Sequence, residues 1–265
     1  MRRSRDAARG GVVKRGYLSH GPHTVYYQVA GEGKPVVLLH GLAGSTRWWA
    51  PTIAPLARAF RVYVIDLIHF GGSSSRQPFA LNRAARLLIE WMDWLGVPRA
   101  SIVGHSLGGH IAADLAADFP DRVDRLVLVD AAALPLERNL LRHALGLFQT
   151  LQSLPRNIVA LLVLDALRAG PVAIWSAAHE LLSADIRSKL PRIQAPTLII
   201  WGERDALLPL DLGKRLAALL PRARLAVVDG AGHTPMLERP EAFNRLIVDF
   251  LAGDERCVGG KLLPR

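Results

Sequence analysis

Three separated segments of this chain carry a serine, an aspartate and a histidine in settings that could join them in one nucleophilic site. The first reads Gly104-His105-Ser106-Leu107-Gly108, between the apolar run 100–103 and the helix-like segment 107–119. A serine on such a strand-to-helix turn projects its hydroxyl from the sheet edge, and the flanking glycines let neighbouring backbone pass close by. That hydroxyl is a poor nucleophile at neutral pH. It needs a base within hydrogen-bond reach and a third group to orient the base. His233 follows the strand-like run 225–228 in Gly230-Ala231-Gly232-His233 and is the candidate base. Asp205 follows the run 197–201 in Trp201-Gly202-Glu203-Arg204-Asp205 and is the candidate acid. Glu203, two residues earlier, and Asp130, at the end of another strand, compete for that role. A tetrahedral intermediate also needs N–H donors for its oxyanion. The backbone N–H of Leu107, at the start of the helix after the serine, is one, and that of Leu42 in Gly41-Leu42-Ala43-Gly44 is the second.

The elements that must position these groups follow from short apolar runs alternating with helical spacing. Segments 12–19 and 24–30 read as strands around the turn His20-Gly21-Pro22-His23. Runs 35–40, 61–66, 100–103, 125–130, 197–201 and 225–228 read as buried strands. Helices are expected over 45–60, 81–95, 107–119, 211–220 and 241–251. This alternation implies an α/β architecture, a mostly parallel sheet with helices on both faces. Open sheets of that kind place their sites at the C-terminal strand ends, where Ser106, Asp205 and His233 all fall.

Residues 134–190 break the alternation. They are helical throughout, and 140–154 and 158–167 are apolar over more than one face. A helix apolar all round must bury both sides. The segment therefore reads as a small helical cap, one face on the core and one toward a cavity, or else as a core-packing insertion. The core is expected over 12–133 and 191–252, with loose tails at 1–11 and 253–265.

The motifs, in this order, resemble the α/β-hydrolase superfamily of the capped, single-domain serine esterase type. The resemblance covers roughly residues 20–251 and rests on His40-Gly41, the Gly104–Gly109 turn, Gly202–Asp205 and Gly230–His233. It implies an eight-stranded sheet with a cap after the sixth strand. It also implies Ser106 as nucleophile, Asp205 as acid, His233 as base, and Leu42 and Leu107 as oxyanion donors. One stretch departs from the family pattern. Many relatives read D-x-P-G-x-G-x-S where this chain has Asp66-Leu67-Ile68-His69-Phe70-Gly71-Gly72-Ser73. The change is either a tolerated turn variant or a change in substrate access at His69. Trp48 and Trp175 are candidates to line the pocket, and core packing is expected of one of the pair Trp48 and Trp49.

Composition excludes several classes. With 50% hydrophobic and 21% charged residues in 265, the chain has ample material for a core and is not disordered in composition. No uninterrupted apolar run approaches the roughly 18 residues of a membrane span, so no integral membrane segment is expected. No signal-peptide pattern follows the basic start, which points to a cytoplasmic enzyme. Cys257 is the only cysteine, so no intrachain disulfide can form. The net charge of +10 comes mostly from scattered arginines, with clustering only in the N-terminal arm. Weak adhesion to an anionic interface fits that charge better than nucleic-acid binding does. No metal-ligand spacing is present, so neither metal nor cofactor is expected.

The expected activity is hydrolysis of short- to medium-chain carboxylic esters with an apolar group, through an acyl-enzyme. Serine C–C bond hydrolase, lactonase, thioesterase or perhydrolase chemistry would use the same three groups. A non-catalytic binding protein is the reading from a different class.

Overall fold

The structure is a computed structural model and describes residues 13–135, 140–253 and 261–262. Eight strands of six residues or more form its sheet. They are β1 Lys14–His20, β2 His23–Ala30, β3 Lys34–Leu39, β4 Phe60–Ile65, β6 Ala100–His105, β7 Val123–Val129, β8 Thr197–Gly202 and β9 Ala223–Val228. Two short strands, β5 Ser74–Ser75 and β10 Lys261–Leu262, pair with β2 and β9. The order is β1-β2-β4-β3-β6-β7-β8-β9-β10. Pairing is parallel from β4 through β9 and antiparallel at both ends. The expected fold is thus present, with one correction. Lys261 and Leu262, expected in a tail, extend the sheet edge, because β9 offers an unpaired backbone on that side. The N-terminal arm and Cys257 lie outside the described residues.

The parallel strands, β3, β4 and β6–β9, are buried on both faces over most of their length, and their side chains sort with a period of two. Val37, Leu39, Tyr63, Ile65, Ile102, Leu126, Leu128, Ile199 and Trp201 point to one core. Val36, Leu38, Val62, Val64, Val103, Val127, Val129, Leu198 and Ile200 point to the other. Helices α2 Leu81–Trp94, α3 Leu107–Asp118 and α6 Leu210–Leu219 cover the first face. Helices α1 Ala50–Ala57 and α8 Pro240–Ala252 cover the second. The single helix expected over 45–60 is a short 3₁₀ turn, Thr46–Trp49, that runs into α1. The turn α7 Pro235–Glu238 was not expected. It follows His233 closely and has too few residues to show a helical period.

Two helices fill the insertion between β7 and β8: α4 Leu140–Ser153 and α5 Arg156–Ser183. Gly170 (φ 76°, ψ 159°) breaks α5, and Pro171 starts its second half. Asp165, Ala177 and Leu181 are buried. The expectation that both faces are covered fails here. Leu141, Leu145, Leu147 and Phe148 on α4 are exposed, and so are Val163, Leu164, Leu167 and Val172 on α5. The apolar content of α5 also exceeds what the sequence expectation allowed, for an 18-residue stretch of it is long and apolar enough to cross a membrane. Asp165 and Arg168 interrupt that stretch, so no continuous run reveals it.

Candidate active site

Ser106 joins β6 to α3 with φ 52° and ψ −111°, a backbone conformation that non-glycine residues rarely adopt. The turn survives because it is held on all sides. The Ser106 N–H donates to the Val129 carbonyl at 3.0 Å, and its own carbonyl accepts from His110 N–H and Ala132 N–H, both at 3.1 Å. A side chain at Gly104 would collide with the Gly108 carbonyl, and one at Gly108 would meet the Leu39 carbonyl at 2.6 Å. Both glycines are therefore needed for α3 to approach β6 and β3 closely.

The expected acid and base meet. Asp205 Oδ2 lies 2.7 Å from His233 Nδ1, and both residues are buried. The other carboxylate oxygen of Asp205 accepts the N–H groups of Leu207 and Leu208, each at 2.8 Å. Its loop is tied down by Trp201, whose indole N–H donates to the Leu208 carbonyl at 2.8 Å. Glu203 instead accepts the Gly230 N–H at 2.8 Å. His105 links the Ser106 turn to His233: its Nε2–H donates to the His233 carbonyl at 2.7 Å, and the two rings sit 4.9 Å apart. Burial and the neighbouring His233 hold the His105 imidazole well below the usual histidine range, so it stays neutral. No hydrogen bond between Ser106 Oγ and the His233 ring closes among the described residues.

Asp130 is the third member of this cluster. One atom each from Asp130, Asp205 and His233 lie within 4.8 Å of one another. Asp130 is fully buried, accepts the Gly202 N–H at 2.9 Å through Oδ1, and has no hydrogen-bond partner at Oδ2. Burial first, and the Asp205 charge second, push its carboxyl well above the usual carboxylate range. Two adjacent carboxylates do not both ionise. Asp205 has two backbone donors and an imidazole, whereas Asp130 has one donor, so the proton stays on Asp130. Two carboxylates and a histidine are also a donor set that a cation could use. The neutral Asp130 and the existing Asp205–His233 bond weigh against a resident ion.

The two candidate backbone donors lie on the Ser106 turn and on the turn beside it. Leu107 opens α3, so its N–H has no acceptor within the helix. Leu42 sits in a turn closed by Gly44 N–H to the Gly41 carbonyl at 3.1 Å, with Ala43 at φ 59°. That turn touches the one at Ser106, for a side chain at Gly41 would meet the His105 ring at 2.7 Å and Ser106 Cβ at 3.1 Å. His40 fixes the turn's base. Its Nδ1–H donates to the Gly41 carbonyl at 2.7 Å, and its Nε2 accepts the Leu67 N–H at 2.9 Å.

The pocket candidates divide. Trp48 is buried, packs 5.7 Å from the His105 ring, and donates from its indole N–H to Asp165 on α5 at 3.0 Å. Trp49 is fully buried against Phe243, as expected of a core residue. Trp175 is 66% exposed and stacks on His179, so it does not line an enclosed pocket. The reason is the kink at Gly170, which sets the face of the second half of α5 independently of the first. His69 occupies a left-handed position (φ 72°), which favours glycine, and its Nε2 lies 2.8 Å from the Gln77 carbonyl. The ring thereby pins its own loop, which favours the turn-variant reading over a change in access.

Two contributors escaped the sequence reading. Glu238 accepts from Gly232 N–H, Thr234 N–H and the Thr234 hydroxyl, at 2.8–2.9 Å, and so braces the backbone on both sides of His233. Asp165 accepts from Ser45 Oγ at 2.8 Å, from Trp48, and from Arg47, tying the insertion to the segment after the Leu42 turn. The signal for Asp165 was an acid in the most apolar stretch of the helix, which must find partners when buried.

The Gly202 position carries a prediction. A side chain there would collide with the Gly232 carbonyl and meet the Ala231 carbonyl at 2.8 Å, both in the loop that carries His233. Gly202→Ala is expected to cost about 3 kcal/mol, because backbone rather than a flexible side chain must give way. A thermal melt should show the midpoint falling by roughly 6–12 °C. A midpoint unchanged from wild type would refute this tight contact.

The sequence pattern of the Alpha/beta hydrolase family matches residues 36–246. The chain is 31% identical over 258 residues to the putative carbamate hydrolase RutD of Caulobacter sp. (strain K31), covering 88% of this chain and 96% of that one. It is 32% identical over 263 residues to the 2-hydroxy-6-oxononadienedioate/2-hydroxy-6-oxononatrienedioate hydrolase of Burkholderia vietnamiensis (strain G4 / LMG 22486), covering 86% and 90%. Among solved structures, the enol-lactonase from Burkholderia xenovorans LB400 superposes with a TM-score of 0.77 at 27% identity, covering 89% of this chain and all of that one.

Proposed function

This chain belongs to the alpha/beta hydrolase family, and on that footing we propose that it is a serine hydrolase of short- to medium-chain carboxylic esters. The observation that carries the reading is the 2.7 Å Asp205–His233 pair beside a serine held on a strained turn. In this reading His233 takes the Ser106 proton as the hydroxyl attacks the acyl carbon. Asp205 holds the imidazole with Nδ1–H toward itself and stabilises the cation that forms. The N–H groups of Leu42 and Leu107 receive the oxyanion. The alcohol leaves with the proton from His233, and the imidazole then activates water to release the acid. The helical insertion caps the site, anchored through Asp165.

The relatives' names span a carbamate, a dienedioate and an enol-lactone, so they support hydrolysis more strongly than any one substrate. Cleavage of a C–C bond in a dienoate is the second reading, supported by the dienedioate hydrolases. A dianionic substrate calls for cationic groups facing it. The described arginines of α5, Arg156 and Arg168, are exposed, and the one buried charge among the described residues of the insertion is the acid Asp165. That distribution supports an uncharged, apolar ester. A panel of p-nitrophenyl esters from acetate to octanoate, with a 2-hydroxy-6-oxo-dienoate as control, tests the choice. Turnover is expected across the esters and not on the dienoate; the reverse pattern would establish C–C cleavage instead.

A further inference from the structure

The insertion presents an apolar outer surface that the fold does not cover. Only 11% of the most apolar 18-residue stretch of α5 is buried. Leu167 is 74% exposed, Val172 81% and, on α4, Leu141 70%. The spacing makes continuous stripes rather than scattered residues. Val163, Leu164 and Leu167 share one face of α5, and Leu141, Leu145 and Phe148 one face of α4. Isolated exposed leucines need no explanation, whereas contiguous apolar patches mark a binding surface.

The charges select the partner. Segment 140–183 contains two acids, Asp165 and Glu180, and both are engaged with the rest of the molecule. Asp165 is held by Ser45, Arg47 and Trp48, and Glu180 accepts the Leu81 N–H at 2.6 Å. Arg156 and Arg168 remain on the exposed side, the latter four residues from both Leu164 and Val172. The outer surface is therefore apolar and cationic, on a chain of net charge +10. A second copy would set like charges against each other. An anionic bilayer offers hydrocarbon to the leucines and phosphate to the arginines.

Geometry excludes a span through the membrane. The kink at Gly170 divides α5 into halves of about 20 Å each, short of a hydrocarbon core of about 30 Å. We propose that the exposed faces of α4 and α5 seat this enzyme on the surface of an anionic lipid bilayer, in the plane of the interface.

Co-sedimentation of the full chain with vesicles of phosphatidylcholine, with and without phosphatidylglycerol, tests this. Binding to the anionic vesicles is expected to be at least about tenfold tighter and to weaken in high salt. Leu164→Glu/Leu167→Glu/Val172→Glu should lose at least about tenfold in that affinity. Arg156→Glu/Arg168→Glu should remove the preference for anionic vesicles. All these side chains are exposed, so thermal midpoints and p-nitrophenyl acetate turnover should match wild type and report intact folding. No binding to either vesicle would overturn the proposal. So would unchanged binding of the triple glutamate variant, which would move the contact to the N-terminal arm. A concentration-dependent dimer dispersed by the same glutamates would assign the surface to self-association.

Discussion

Ser106→Ala is expected to lower turnover of p-nitrophenyl butyrate by at least about 1000-fold while leaving the thermal midpoint near that of wild type. Alanine keeps the Cβ, so the strained turn at φ 52° and its three backbone hydrogen bonds remain as they are. Only the hydroxyl goes. What stays is the pair of backbone donors and the binding surface, which support a small residual rate. His233→Ala should fall by a similar factor, because an unactivated serine hydroxyl is nearly as inert as none. The double variant should be little worse than either single one, since the residues act as a unit. A Ser106→Ala enzyme that keeps wild-type turnover would remove the serine from the chemistry.

The second large effect separates the two buried aspartates. Asp205→Asn is expected to lower kcat by about 10³–10⁴-fold, since an amide at that position no longer enforces Nδ1–H on His233 or stabilises the imidazolium. Asp130→Asn should change kcat by less than about tenfold. Asparagine keeps an acceptor for the Gly202 N–H, and the acid it replaces is already neutral. The sign of the pH effect follows from the same raised carboxyl. Asp130 holds its proton more tightly folded than unfolded, so its contribution to stability declines as pH rises above the ordinary carboxylate range. Asp130→Asn removes that decline. Steady-state kinetics on both variants decides the assignment. Equal losses would place the orienting charge on the pair rather than on Asp205.

The parallel core was readable because its strands are buried on both faces and so appear as unbroken apolar runs, such as Val36–Leu39 and Leu198–Trp201. The end strands were harder to delimit, since β1 alternates on an exposed edge and β10 has only two residues. Within the site, Ser106, Asp205 and His233 were legible because each follows its own strand. Parallel topology then brings all three strand ends to one edge. Glu238 was not, for its role is to accept backbone N–H groups around His233, and such a role leaves no spacing signature.

Local residue types determined most of what this chain could do: a serine between glycines, a histidine after glycines, an acid after a strand, and helices wherever apolar residues recur. Those preferences act over a few residues and survive in one dimension. Which of two aspartates carries charge depends on how many donors surround each in space. Whether α5 is core or surface depends on what packs against it, and there an apolar composition over more than one face overstated the burial. Hydropathy records that a face avoids water; only the tertiary structure decides whether the fold itself or some other surface covers it.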